Sequence, residues 1–268
     1  MTMCKDREDN ILELFSGVEI EKRKELFSLM MEWEKTVLES RPEASFMYDG
    51  FLPGYFAASP KVLFIGRESR NQESESYDYI ANAIDFFKKG SVVNSAIYWK
   101  RILCMYNIIK NKGFIDEAIT ADKIAQKMIE ENNYGFALMN ISKYQNISEN
   151  SETRDTVLMN DFFNDSKLDK RNFLEEEIAL LDPDLIITAN LWCCGIDKNM
   201  KSYFGKLTSL EPVMVQSECA ATLNSVTINE KTIKLIDFYH FSNHFKGDMD
   251  YYYKPLSTLW DFLGLCAG

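Results

Sequence analysis

Residues 61–71 read KVLFIGRESRN. Val62 to Ile65 are apolar without a break, Gly66 follows, and Arg67 and Glu68 then bring the stretch into charge. A short apolar run closed by a glycine is the pattern of a strand buried on both faces, and such strands belong to parallel sheets covered by helices. Two stretches repeat it: YGFALMNI at 134–141, and DPDLIITAN at 182–190, where Pro183 stops a helix and an apolar run begins.

Helical spacing fills the intervals between these runs. Leu26, Leu29, Met30 and Trp33 share one face of a helix in the first fifty residues, before the aromatic, glycine- and proline-broken stretch FMYDGFLPGYF. Amphipathic helices are predicted at about 79–88, 95–111, 121–131 and 172–181, and a last one at about 255–265. Shorter strands are predicted near 212–216 and 234–239. The stretch 145–172 is the most polar in the chain and reads as a loop or insertion around the apolar island VLMNDFF. Strands alternating with helices give the expected fold: a single α/β domain over 1–268, its central, mostly parallel sheet of four or five strands flanked by helices, with an N-terminal helical extension over 1–55. No internal repeat and no long linker interrupts it.

Composition narrows the function. The chain holds 41 acidic and 30 basic residues, a formal net charge of −11, which argues against indiscriminate adhesion to a polyanion. Local basic patches remain open at Lys100, Arg101, Lys110 and Lys112, at Lys198, Lys201 and Lys206, and around Lys231, Lys234 and Lys246. The apolar runs fall far short of the roughly 18 residues of a membrane span, so no membrane partner is expected. The polar opening MTMCKDREDN does not read as a secretory leader, and a reducing cytoplasm is the expected compartment. Cys4, Cys104, Cys219 and Cys266 are isolated and Cys193 and Cys194 adjacent, a spacing that fits neither a disulfide scaffold nor an iron–sulfur cluster. His240 and His244 are four apart with Asp237 and Asp248 around them, but they follow a strand rather than sit on a helix, so no metal is expected. No cysteine sits in an activating context, and there is neither a phosphate-cradling glycine loop nor a Gly-x-Ser-x-Gly elbow.

In an open parallel sheet, ligands bind where the carboxyl ends of the strands spill into loops. There the sequence places Gly66, Arg67, Glu68 and Asn71; then Asn140, Ser142 and Tyr144; then Asn190 and Trp192; and last His240, Ser242, Asn243 and His244. Glu68, Asn140 and His240 are candidates to converge at one mouth. Each also has a plain structural reading: Gly66 as a turn glycine, Glu68 as a solvated loop acid, Asn140 and Asn190 as asparagines bonding their own backbone, and His240 as a structural histidine. Their joint position at strand ends favours a site.

VLFIGRE, ALMNIS and DFYHFSN, in this order, resemble three motifs of the uracil-DNA glycosylase superfamily: a strand ending in glycine with an acid or amide two positions on, a strand ending in a base-reading asparagine, and a strand followed by His-x-Ser. DPDLIITAN is similar to that family's proline-led third strand. The resemblance covers 61 to about 245. It implies an enzyme that flips a nucleotide out of DNA and hydrolyses the bond between base and sugar, with no cofactor. Carried residue by residue, it implies Glu68 and His240 as catalytic groups, Asn140, Gly66 and Tyr144 at the base, and Ser242, Asn243, His244, Phe245 and Arg70 against DNA. Tyr77, Tyr144, Phe51 and Tyr55 are candidate stacking partners.

Two departures bear on the substrate. Where the best-known branch has a proline and a base-excluding tyrosine after the acid, this chain has Ser69 and Arg70; Phe241 replaces a proline in the third motif, leaving Phe245 as a candidate wedge into the base stack. The implied base is larger than uracil, such as a pyrimidine modified at carbon five in bacteriophage DNA, which would make the enzyme one of defence. Two other readings stay open: a non-catalytic module binding nucleic acid, nucleotide or protein, and an enzyme of free nucleotides. A basic rim at the mouth is expected of an enzyme acting on DNA and is not required of a binding module.

Overall fold

The structure, a computed structural model, describes residues 11–40, 45–70, 76–146, 171–189, 206–215 and 217–265, with backbone alone at 40, 69–70, 145–146 and 206–211. In chain order, helix α1 (Val18–Ser40) precedes the short strands β1 (Met47–Tyr48) and β2 (Gly50–Phe51), then β3 (Val62–Gly66), β4 (Ser69–Arg70) and β5 (Tyr77–Asp78). Helices α2 (Tyr79–Phe87), α3 (Ile97–Lys110) and α4 (Ala121–Glu131) lead to β6 (Phe136–Asn140) and β7 (Gln145–Asn146). Helix α5 (Phe173–Leu181), β8 (Leu185–Ala189), and the longer strands β9 (Lys206–Val215), β10 (Glu218–Ile228) and β11 (Lys231–Phe238) follow. A π-helical turn, Met249–Tyr253, runs into α6 (Lys254–Leu263).

The three apolar runs become β3, β6 and β8, each buried along its whole length. They pair in parallel, and β11 pairs in parallel with β8. Among the described residues the sheet has seven strands in the order β2-β6-β3-β8-β11-β10-β9, so the expected four or five is corrected to at least seven. The parallel centre is β6-β3-β8-β11; β2 joins one edge antiparallel, and β10 and β9 extend the other as an antiparallel ribbon. Strand β10 escapes a reading for unbroken apolar runs because its buried positions, among them Ala221, Leu223, Val226 and Ile228, are interleaved with threonine, serine and asparagine. Its turn into β11 is made by Asn229 and Glu230, both at positive φ (46° and 66°). Hairpin turns of that shape normally carry a glycine, and its absence removes the signal.

Helix α1 is built into the core. Trp33 is fully buried, stacked on Phe173 with ring centroids 5.4 Å apart and edge-on to Phe46 at 5.9 Å. Full burial of such a side chain stabilises by about 1.5–3 kcal/mol. Arg23 of α1 meets Asp78 at 2.5 Å, side chains of both 2% exposed, while the other oxygen of Asp78 caps α2 by accepting from the Ala81 amide at 2.9 Å. One aspartate thus fixes both the start of α2 and the docking of α1.

Candidate functional site

In a doubly wound sheet the ligand crevice opens at the carboxyl ends of the strands, where the chain reverses its direction across the sheet. Here it steps from β3 to β6 on one side and returns to β8 on the other, so the crevice falls at the end of β3, at Gly66 to Glu68. Register aligns the neighbouring ends: Gly66 lies opposite Asn140, and Phe238 opposite Ala189.

Gly66 and Asn140 are matched in shape. A β-carbon at Gly66 would lie 2.2 Å from Asn140 Oδ1, so any side chain there would displace the amide. Asn140 is buried, its backbone N–H donating to Asp49 Oδ2 at 2.7 Å and its Nδ2 lying 3.5 Å from Met47 Sδ. Beneath it sits a charged group that the sequence reading missed. Lys143 Nζ lies 2.6 and 2.7 Å from the two Asp49 oxygens and 2.7 Å from Glu177 Oε2, with all three side chains at 0% exposure. The Trp33 ring faces the ammonium at 5.2 Å. Burial, with the adjacent Asp49 charge, holds the Glu177 carboxyl well above its usual range despite Lys143.

Glu68 turns inward: its side chain is 2% exposed, which rules out a solvated loop acid. Its Oε1 lies 3.6 Å from the Arg67 guanidinium. The carbonyls of Gly66 and Arg67 accept from the Ile141 and Ser142 amides at 3.0 and 2.8 Å, and beyond them β4 pairs with β7. The segments carrying the acid and the amide therefore leave the sheet bonded to each other.

His240, half-buried at the end of β11, accepts a hydrogen bond at Nδ1 from the Ser242 amide at 3.2 Å. With Nδ1 an acceptor, the proton of the neutral ring resides on Nε2, leaving that edge a donor. The loop beyond turns tightly: Asn243 N–H bonds the His240 carbonyl at 2.8 Å, and the Asn243 side chain accepts from the Phe245 amide at 3.0 Å. Phe245 stands 96% exposed at the tip, beside exposed His244.

Tyr98, from the first turn of α3, stands between these groups and was not anticipated. Its hydroxyl lies 3.7 Å from where a Gly66 β-carbon would be, and its ring centroid is 6.4 Å from His240 and 5.9 Å from Phe241. Its hydroxyl meets that of Tyr79 at 3.3 Å. Burial raises the pKa of both phenols, so each remains a neutral donor at physiological pH. Tyr98 lay in a predicted helix, and a reading confined to strand ends passes over it.

Two of the other expected residues sit elsewhere. Phe51 and Tyr55 stack in the core; Phe51 pairs with Ala137 three residues before the strand end, and Leu52 bonds the Phe136 carbonyl, which places this pair toward the opposite edge of the sheet. Tyr144 is buried, its backbone bridged to Phe46, and Tyr77 is buried in β5. The side chain of Arg70, and Asn71, Asn190, Trp192, Lys198 and Lys201, lie outside the described residues. Four residues of the expected basic patches are paired with acids: Lys100 and Arg101 with Asp248 at 2.5 and 2.7 Å, Lys246 with Glu218, and Lys231 with Asp182 at 2.6 Å. Surface clefts of about 450 Å³ beside Glu25 and Glu176 and about 480 Å³ beside Lys112 and Trp260 contain none of the mouth residues, and the chemistry of the strand ends outweighs them as a site.

No protein-family model matches the chain, and no curated protein is significantly similar to it. No helix among the described residues is long and apolar enough to cross a membrane.

Proposed function

We propose that this chain is a DNA glycosylase, a divergent member of the uracil-DNA glycosylase superfamily acting in the cytoplasm on a flipped pyrimidine larger than uracil. The observation that carries the reading is the placement of Asn140, Glu68 and His240 at the ends of β6, β3 and β11, around the switch point of the sheet. The α/β architecture is compatible with the fold the resemblance implies, and the motifs follow its order.

The chemistry suits these groups. The Asn140 amide offers a donor and an acceptor to the edge of a base, and Tyr98 brings an aromatic face and a hydroxyl to the same place. As the glycosidic bond breaks, its electron pair passes to the base and positive charge develops on the sugar. Glu68, as a carboxylate, stabilises that charge and orients the water whose oxygen bonds to the anomeric carbon. The Nε2–H of His240 donates to the departing base and stabilises its negative charge. The proton released from water balances the base anion.

A second reading, action on free nucleotides or binding without catalysis, is favoured by one observation: Lys100 and Lys246, the lysines beside the loop, are neutralised by Asp248 and Glu218. Incubation with duplexes containing uracil, mismatched thymine, or hydroxymethylated or glucosylated cytosine, followed by cleavage at abasic sites, separates the readings. Release of a modified pyrimidine supports the first; release from free nucleosides alone supports the second; excision of uracil alone contradicts the substrate assignment.

A further inference from the structure

Arg101 is 1% exposed and spends its guanidinium on one loop. Nη1 donates to the carbonyls of Phe241 and Asn243 at 2.8 and 2.9 Å and to the Tyr252 hydroxyl at 3.1 Å; Nη2 donates to the Lys246 carbonyl at 2.6 Å. Nε donates to Asp248 Oδ1 at 2.7 Å, and the guanidinium lies 4.1 Å from the centre of the Tyr252 ring. Tyr252 in turn donates to the His240 carbonyl at 2.9 Å.

We propose that Arg101 is the positioning residue of the site: it fixes the 240–248 loop, and with it the His240 ring, in working geometry before any ligand arrives. A buried cation is costly, and a loop carbonyl facing solvent gains little from it, so three carbonyls converging on one guanidinium point to a loop whose shape must be held. The planar fork supplies several donors in fixed directions, which an ammonium does not. Tyr98 and Arg101 are three apart and share one face of α3. One turn of helix therefore sets both the aromatic wall of the mouth and the loop that carries His240.

This inference rests on the base-excision reading, and its test separates the two. In the full-length protein, Arg101→Lys is expected to raise amide hydrogen exchange over 241–247 by about tenfold or more, leaving β3 and β6 unchanged. Asp248→Asn, which keeps the guanidinium buried but removes its carboxylate, raises exchange in the same amides to a smaller extent and serves if Arg101→Lys does not fold. On the released base, Arg101→Lys lowers kcat by about 100-fold with KM nearly unchanged. In a His240→Asn background the same substitution adds almost nothing, since both changes act through one ring. Unchanged exchange in the loop, or effects that multiply across the two substitutions, overturns the proposal. If the wild type releases no base, the base-excision reading fails and the exchange measurement alone decides the clamp.

Discussion

At the scale of single residues, the mouth depends on a glycine with no side chain and an amide that fills the vacated space. Gly66 is required by the 2.2 Å approach of Asn140 Oδ1 rather than by its backbone angles. Gly66→Ala is therefore expected to push the Asn140 amide aside and lower base release by about 10- to 100-fold, while thermal unfolding shifts by the about 1–3 kcal/mol typical of overpacking. Equal release by variant and wild type would remove Asn140 from base reading. Glu68, Asn140 and His240 could be singled out because each stands at or just beyond the end of a strand, and strand ends are where a parallel sheet binds. Lys143, Asp49 and Glu177 were not, because lone charges are ordinarily exposed and nothing local marks these three as buried together.

At the scale of elements, that buried group ties the segment after β6 to α5. Its energetics are asymmetric. Lys143→Met would leave the Asp49 carboxylate buried without its cation and is expected to cost about 3–5 kcal/mol in urea unfolding. Glu177 behaves in the opposite sense. Its raised pKa means that the folded state holds the proton more tightly than the unfolded chain, so this group's contribution falls as pH rises above about 4.3. Glu177→Gln mimics the protonated acid and is expected to be at least as stable as wild type at pH 7, with the advantage shrinking on acidification toward pH 4. A Lys143→Met midpoint equal to wild type, or strong destabilisation by Glu177→Gln at pH 7, contradicts this account of the group. Helices α2, α3 and α4 were legible to within a residue or two of the predicted 79–88, 95–111 and 121–131, whereas the expected N-terminal helical extension over 1–55 holds α1 at Val18–Ser40 and then the strands β1 and β2. Strand β10 was not legible: it alternates polar with buried residues and its turn lacks the customary glycine, whereas the strands predicted near 212–216 and 234–239 overlap β9 and β11. The sequence likewise hides that Arg101 is buried and Lys100 paired, since only the tertiary fold brings Asp248 to them.

At the scale of the whole molecule, net charge and site electrostatics pull apart. A chain at −11 that approaches DNA must do so through a small face, and on the described part of that face the lysines are matched by acids. Asp248 gives this balance a pH dependence. Burial would raise its carboxyl, but Lys100 and Arg101 hold it below the ordinary range. A depressed pKa contributes stability that is present above the unfolded value and lost as pH falls below about 4. Protection of the 241–247 amides, measured relative to their intrinsic exchange rates at each pH, is expected to fall on acidification through that range before the sheet opens; simultaneous loss of loop and sheet would contradict it. The central claim is that a buried carboxylate at the end of β3 drives cleavage of a base from its sugar. It is tested most directly by measuring abasic-site formation on duplexes carrying carbon-five-modified pyrimidines, with wild type and Glu68→Gln at equal occupancy of substrate. The account predicts release by the wild type and a fall of about 100- to 10,000-fold in kcat for Glu68→Gln, with duplex affinity retained; release undiminished by the substitution, or no release of any base by the wild type, would contradict it.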